Sequence, residues 1–185
     1  MKHASSVYTI GHSTRNSSDL IKTLSAYDIT HLVDVRRFPN SHVNPQFNSE
    51  TFEEELTTNG IKYAWFEGLG GRRQGLGKKS MNTCWKNKSF RNYADYMETD
   101  SFRDAAKKLV EIIGMNTVVI MCAEAVPWRC HRSMISDFLK SNGVRVTHIL
   151  GADHSVEHEF TKCAKLVAGH LTYHETSSLD ALLLS

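Results

Sequence analysis

Short apolar runs recur along the chain at residues 7–10, 32–35, 62–66, 118–121 and 144–150, each of strand length. Between them the apolar positions change to helical spacing. Leu20, Ile21 and Leu24 share one face behind Ser17 or Ser18 as a cap. Phe52 and Leu56 follow Ser49 and stop at Asn59-Gly60. Phe102, Ala105, Ala106, Leu109, Ile112 and Ile113 trace a helix closed by Gly114, and Met134, Ile135, Phe138 and Leu139 one closed by Asn142-Gly143. Five strands alternating with helices predict an open, mainly parallel α/β sheet with helices on both faces. Two stretches stand apart. Residues 67–92 read as a long loop rich in Gly, Lys and Arg, of a length that usually carries function. After residue 152, Val156, Phe160, Ala164 and Val167 predict one helix with a frayed end at residues 181–185. Residues 1–152 therefore read as the α/β domain and 153–185 as a helical extension packed on it.

Placing the polar residues on this frame brings the chemistry into view. The first strand ends in Gly11-His-Ser13, the second in Asp34-Val-Arg-Arg37, the third in Glu67-Gly-Leu-Gly-Gly71 and the fourth in the segment Cys122 to Arg132. In a parallel sheet these four loops share the carboxyl edge, where open α/β sheets bind ligands. Eleven of the 22 Lys and Arg residues fall in windows 36–42, 67–91 and 122–132, against the two acids Glu67 and Glu124. That imbalance favours an anion, and phosphate above others. Arg36 and Arg132 are the best candidate clamps, since a guanidinium meets phosphate with two parallel bonds. His12, Ser13, Gly70 and Gly71 complete the anion-binding candidates, and the helix that follows Cys130 would add its N-terminal N–H groups.

Glu124, at a strand exit among basic loops, is a candidate general acid or base, or else an ion-pair partner of Arg36 or Arg132. Cys122 is a candidate nucleophile, but no arginine stands six residues on as in phosphatase-like loops. His131 is a third catalytic candidate. Asp34 either pins its loop or faces the ligand, and Cys130 is structural or ligand-facing. Cys122, Cys130 and His131, completed by His12 or Cys84, are a weaker zinc set, because an adjacent Cys and His rarely reach one ion. His154 and His158, four apart on the expected tail helix, read as a solvated face. Trp65, Phe66, Trp85 and Phe90 flank the basic loop and could stack on bases, although strand-end aromatics are more often core.

Composition narrows the class. The 185 residues are 41% hydrophobic with net charge +2, an ordinary globular balance that names no polyanionic partner. No apolar run approaches the roughly 20 residues of a membrane span. The polar opening and four cysteines fit a cytoplasmic protein with free thiols.

The motifs Thr9-Ile-Gly-His-Ser13, Val33-Asp-Val-Arg36 with Pro39 and Ser41, Gly68-Leu-Gly-Gly71, Tyr93-Ala-Asp-Tyr-Met97, and Cys122-Ala-Glu124 with Cys130-His-Arg132 occur in that order. Together they resemble the family catalogued as domain of unknown function number 488, over roughly residues 8 to 150. The resemblance implies a compact Rossmann-like α/β domain and no established reaction. Three functions follow from the residues. The first is an enzyme on a phosphate-bearing nucleotide or nucleic acid component, with no cofactor or metal. Its alternative is a non-catalytic nucleic-acid-binding or regulatory module using basic loop 72–91, and a metal or thiol redox site is the weaker third.

Overall fold

The computed structural model describes residues 5–175. Its centre is a sheet of six strands in the order β3-β2-β4-β1-β5-β6. The strands are β1 (Ser6–Gly11), β2 (His31–Asp34), β3 (Lys62–Trp65), β4 (Val118–Cys122), β5 (Arg145–Gly151) and β6 (His154–Glu157). The first five are parallel, as the alternation predicts, and β6 adds antiparallel to β5.

Five helices connect them: α1 (Ser17–Ala26), α2 (Ser49–Thr58), α3 (Lys88–Met97), α4 (Asp100–Ile113) and α5 (Arg132–Ser141). They divide between the two faces of the sheet, and the core divides with them. One cluster packs Leu20, Leu24, Phe52 and Leu56 from α1 and α2 on Ile10, Leu32, Val119 and Met121. The other packs Tyr93, Phe102, Leu109, Ile135 and Leu139 from α3, α4 and α5 on Val33, Val118, Ile120 and Cys122. The alternation along β4 is the period of two that sends neighbouring side chains to opposite faces. It places Cys122 on the α3–α5 side. The chain leaves β1 toward one face and the adjacent β4 toward the other, so a crevice opens between their carboxyl ends.

Several expectations are corrected. The sheet has six strands, not five. The loop after β3 is shorter than read, because α3 begins at Lys88, capped by Asn87, whose side chain accepts from the N–H groups of Ser89 and Phe90. The expected helix after Asp153 does not form. Residues 154–157 are β6, and β7 (Lys165–Val167) pairs with β8 (His170–Thr172) in a small hairpin. The helical pattern there was coincidental: Val156 and Phe160 are substantially exposed, whereas His158 is buried. Helix caps also shift by one residue, to Asn16 and Asn48. The frayed end expected at residues 181–185 lies outside the described residues. Among the described residues no helix is long and apolar enough to cross a membrane.

The expectation of four free thiols fails at Cys84 and Cys163, which form a disulfide with Cα atoms 5.6 Å apart, while Cys122 and Cys130 are free. The bridge ties the loop after β3 to the tail across a sequence separation of 79 residues. A closed loop of that size constrains the unfolded chain strongly. Its removal by Cys84→Ser with Cys163→Ser is expected to cost about 2–4 kcal/mol in urea unfolding.

Candidate functional site

The loops after β1, β2, β3 and β4 enclose a cleft of about 560 Å³ at the carboxyl edge of the sheet. His12, Arg36, Gly71, Cys122, Glu124, Cys130 and His131 line it, so most of the sequence-derived candidates do converge. The β1 and β4 loops are joined by their backbones: His12 N–H donates to Cys122 O at 3.0 Å and Ser13 N–H to Ala123 O at 2.9 Å. Only glycine permits this approach at position 11, since a Cβ there would fall 1.9 Å from Glu124 O.

Asp34 lies beneath the cleft, fully buried, and is committed to holding its loop. It accepts from Arg36 N–H at 2.9 Å, from the Arg36 guanidinium through Nε and Nη2, and from Tyr63 OH at 2.8 Å. Arg36 Nη2 also donates to Phe47 O at 2.8 Å, which leaves Nη1 as the end facing His12 Nε2 at 3.5 Å. His12 Nδ1 bonds Ser13 O at 2.8 Å, and its ring packs on Phe47. The Nδ1–H is thereby fixed as donor and Nε2 as the free lone pair. Burial, with the Arg36 charge adding to it, lowers the His12 pKa from 6.5 to about 4, so the ring is neutral at pH 7.

Arg132 does not line the cleft. It is 1% exposed, and its guanidinium donates to Thr9 Oγ1 at 3.2 Å, Glu124 O at 2.6 Å and Ala125 O at 3.4 Å. The partner on the Glu124 loop is thus its carbonyl. The Glu124 carboxylate is exposed and makes no ion pair among the described residues. Gly70 and Ser13 are not among the lining residues. Ser13 instead takes a left-handed backbone, φ 52°. Gly70 packs against the Arg37 backbone.

Cys122, Cys130 and His131 stand together, their ligating atoms all within 4.8 Å of one another. The hydrogen bond from Cys122 drives the Cys130 pKa well down and its own well up, and the Arg132 charge acts on both. His131 is braced by Tyr93, ring centroids 5.0 Å apart, and Nε2 bonds Val35 O at 3.0 Å.

The loop after β3 forms the far wall, and the Tyr93-Ala-Asp-Tyr-Met97 motif explains its shape. Tyr93 OH donates to Leu69 O at 2.8 Å and Tyr96 OH to Gly68 O at 2.6 Å. Asp95 accepts from Leu76 N–H, Ser80 OH and Asn82 Nδ2. Trp85 and Phe90 stack on each other against the core rather than standing free.

The model described as "Domain of unknown function DUF488" matches residues 17–139. The chain belongs to this family. The DUF488 match takes in the β2 loop, the Tyr93 motif and the whole Cys122–Arg132 segment. No curated protein and no solved structure matches the chain.

Sequence reasoning missed the rim of the DUF488 cleft. Arg72 and Arg129 line it, are exposed, and form no ion pair among the described residues, whereas Arg37 is paired with Glu67. Phe38 lines it too, 65% exposed. The charge windows contained both arginines, but only the fold separates them from paired Arg73. Sequence also missed a buried chain of polar groups behind Arg132. Arg132 can only donate, so Thr9 accepts from it and passes its own O–H to His148 Nδ1 at 2.7 Å. His148 Nε2–H then donates to His158 Nδ1 and His158 Nε2–H to Asp137, each at 2.9 Å.

Burial lowers the His148 pKa to about 3, with the His158 and Arg132 charges adding to the effect. His12 and His148 both have folded pKa values below their ordinary 6.5. Below pH 6.5 the unfolded chain therefore binds protons that the native state refuses. Stability is full above pH 6.5 and falls as pH drops through the folded values. By pH 5 the loss is expected to be about 2 kcal/mol per histidine. Urea unfolding of wild type, His12→Gln and His148→Gln between pH 7 and 5 checks this: each variant should show a shallower slope.

Proposed function

We propose that this DUF488 protein is an enzyme acting on a phosphate-bearing small molecule, a nucleotide or nucleic acid component, held in the cleft. The observation that carries the reading is the company of groups there. Two unpaired guanidiniums, Arg72 and Arg129, share the cleft with an exposed aromatic ring, Phe38, an unpaired carboxylate, Glu124, and a neutral imidazole, His12. Guanidiniums meet phosphate, an aromatic face stacks on a base, and a carboxylate beside a neutral imidazole is the pairing of a general acid or base with a hydrogen-bonding partner. The Arg36 Nη1 and the Gly71 backbone contribute from the floor. In this reading the sheet serves as a Rossmann-like platform with the ligand at its carboxyl edge.

Calorimetry with nucleoside mono- and diphosphates tests it. Arg72→Ala with Arg129→Ala is expected to weaken binding about tenfold or more, since each charge-assisted contact is worth roughly 1.5–3 kcal/mol. Glu124→Gln is expected to keep binding and abolish turnover of the bound nucleotide. No nucleotide binding at all, with steeply salt-dependent binding of single-stranded nucleic acid, would replace this reading with the non-catalytic module, whose Lys78, Lys79 and Lys86 are exposed. A cytoplasmic location belongs to the same reading. There the Cys84–Cys163 bridge would meet a reducing pool, so its state after anaerobic lysis and thiol trapping is a direct check.

A further inference from the structure

We propose that Cys122 Sγ, Cys130 Sγ and His131 Nδ1 form a site for a soft divalent cation, zinc first among them, with its fourth position open to the cleft. The proposal deepens the functional reading, since the cation would sit where the phosphate-bearing molecule is held.

Geometry carries the argument. In a tetrahedral zinc site with bonds of about 2.3 Å to sulfur and about 2.0–2.1 Å to nitrogen, a sulfur and a nitrogen ligand lie about 3.5–3.6 Å apart. Cys130 Sγ and His131 Nδ1 are 3.6 Å apart. All three donor atoms fall within 4.8 Å, a spread that one ion can close with small side-chain rotations. Adjacent residues manage this because the chain bends between them. Cys130 is extended, φ −131° and ψ 147°, while His131 already has helical angles at the start of α5. The objection that neighbours rarely share an ion is answered by that bend.

The imidazole is also prepared for the role. Its Nε2–H is held by Val35 O at 3.0 Å, which leaves Nδ1 as the lone pair toward the sulfurs. A histidine ligand characteristically donates its second N–H to such a carbonyl, which fixes tautomer and orientation. Gly71 lies against the ring. A Cβ at that position would come 2.9 Å from Nδ1, so the wall is shaped around the imidazole. Two thiolates and one imidazole make a soft donor set that prefers zinc over magnesium or calcium. Arg132 behind the pair is turned to the Glu124 and Ala125 carbonyls and does not occupy the donor position. Cys84 cannot complete the set, because it is bonded to Cys163. Three protein ligands and an open position are the pattern of a catalytic rather than a structural zinc.

The test titrates zinc, against a chromophoric chelator, into metal-stripped protein whose Cys84–Cys163 bridge is intact. One equivalent is expected to bind. Cobalt in its place should give the intense sulfur-to-cobalt charge-transfer band and the visible bands of a tetrahedral thiolate site. Cys130→Ser and His131→Ala should each weaken zinc by more than about a hundredfold, beyond the 10–100-fold typical of supporting groups. The Cys84→Ser, Cys163→Ser double variant should bind as wild type. Circular dichroism identifies any variant that fails to fold, and the wild-type cobalt spectrum decides the matter without variants. No zinc bound by the metal-stripped protein with Cys122 and Cys130 as free thiols, or a cobalt spectrum lacking thiolate bands, overturns the proposal. So does a Cys122–Cys130 disulfide in the native protein with no zinc uptake on reduction, which would mark a redox pair. The titration contains no phosphate ligand. Zinc binding without nucleotide binding would sink the functional reading alone, and the converse would sink only the metal site.

Discussion

Asp137→Ala is expected to cost about 5 kcal/mol, a large fraction of the stability of a single domain. Asp137 sits on α5 with no exposed surface. Its carboxylate accepts from His158 Nε2 at 2.9 Å, Thr161 N–H at 2.9 Å, Thr161 OH at 2.6 Å and Tyr173 OH at 2.9 Å. Alanine would leave these donors buried without an acceptor, at about 1–3 kcal/mol each before relaxation. All four come from the tail, so the loss should first show there. Limited proteolysis within residues 158–175 should accelerate before the sheet unfolds. Asp137→Asn retains one acceptor oxygen and should lose roughly half as much. A urea midpoint for Asp137→Ala within error of wild type would mean that the tail is held by the disulfide and apolar contacts instead.

This hub also shows where the sequence stopped being readable. Buried parallel strands are apolar on both faces, so residues 118–121 announce β4 without context. The spacing of Phe102, Ala106, Leu109 and Ile113 announces α4, whose buried face is these same residues. The convergence of four loops at one edge followed from the parallel direction of the strands, and with it His12, Arg36, Cys122, Glu124 and His131. The tail was misread because its apolar spacing is local, while its structure is set by His158 and Tyr173 reaching an aspartate on another element. A hydrogen bond spanning 36 residues leaves no periodic trace. The Cys84–Cys163 bridge is illegible for the same reason. Asp34 could be weighed but not decided from sequence, because pinning a loop and meeting a ligand ask for the same side chain. The paired state of Arg36 and the unpaired state of Arg72 depend on which carboxylates lie near, and only the fold fixes that.

Arg132 is the residue whose role the fold changes most. Sequence placed it as an anion clamp, yet its guanidinium is turned to the Glu124 and Ala125 carbonyls and to Thr9. Arg132→Ala is accordingly expected to cost about 4 kcal/mol in unfolding free energy. It removes the donors to buried acceptors and leaves a cavity under the β4 loop. The consequences for the cleft should be indirect. The loop carbonyls lose their anchor, and Cys130 loses the nearby positive charge that helps hold its thiol pKa down. The rate of Cys130 alkylation at neutral pH should therefore fall, in metal-free protein, together with stability. Arg132→Lys separates the two effects. The ammonium restores the charge but cannot span Thr9 and the loop carbonyls with a planar fork. Its alkylation rate should recover more than its urea midpoint does. A direct anion contact would give a different pattern: nucleotide affinity lost in both variants while stability stays near wild type.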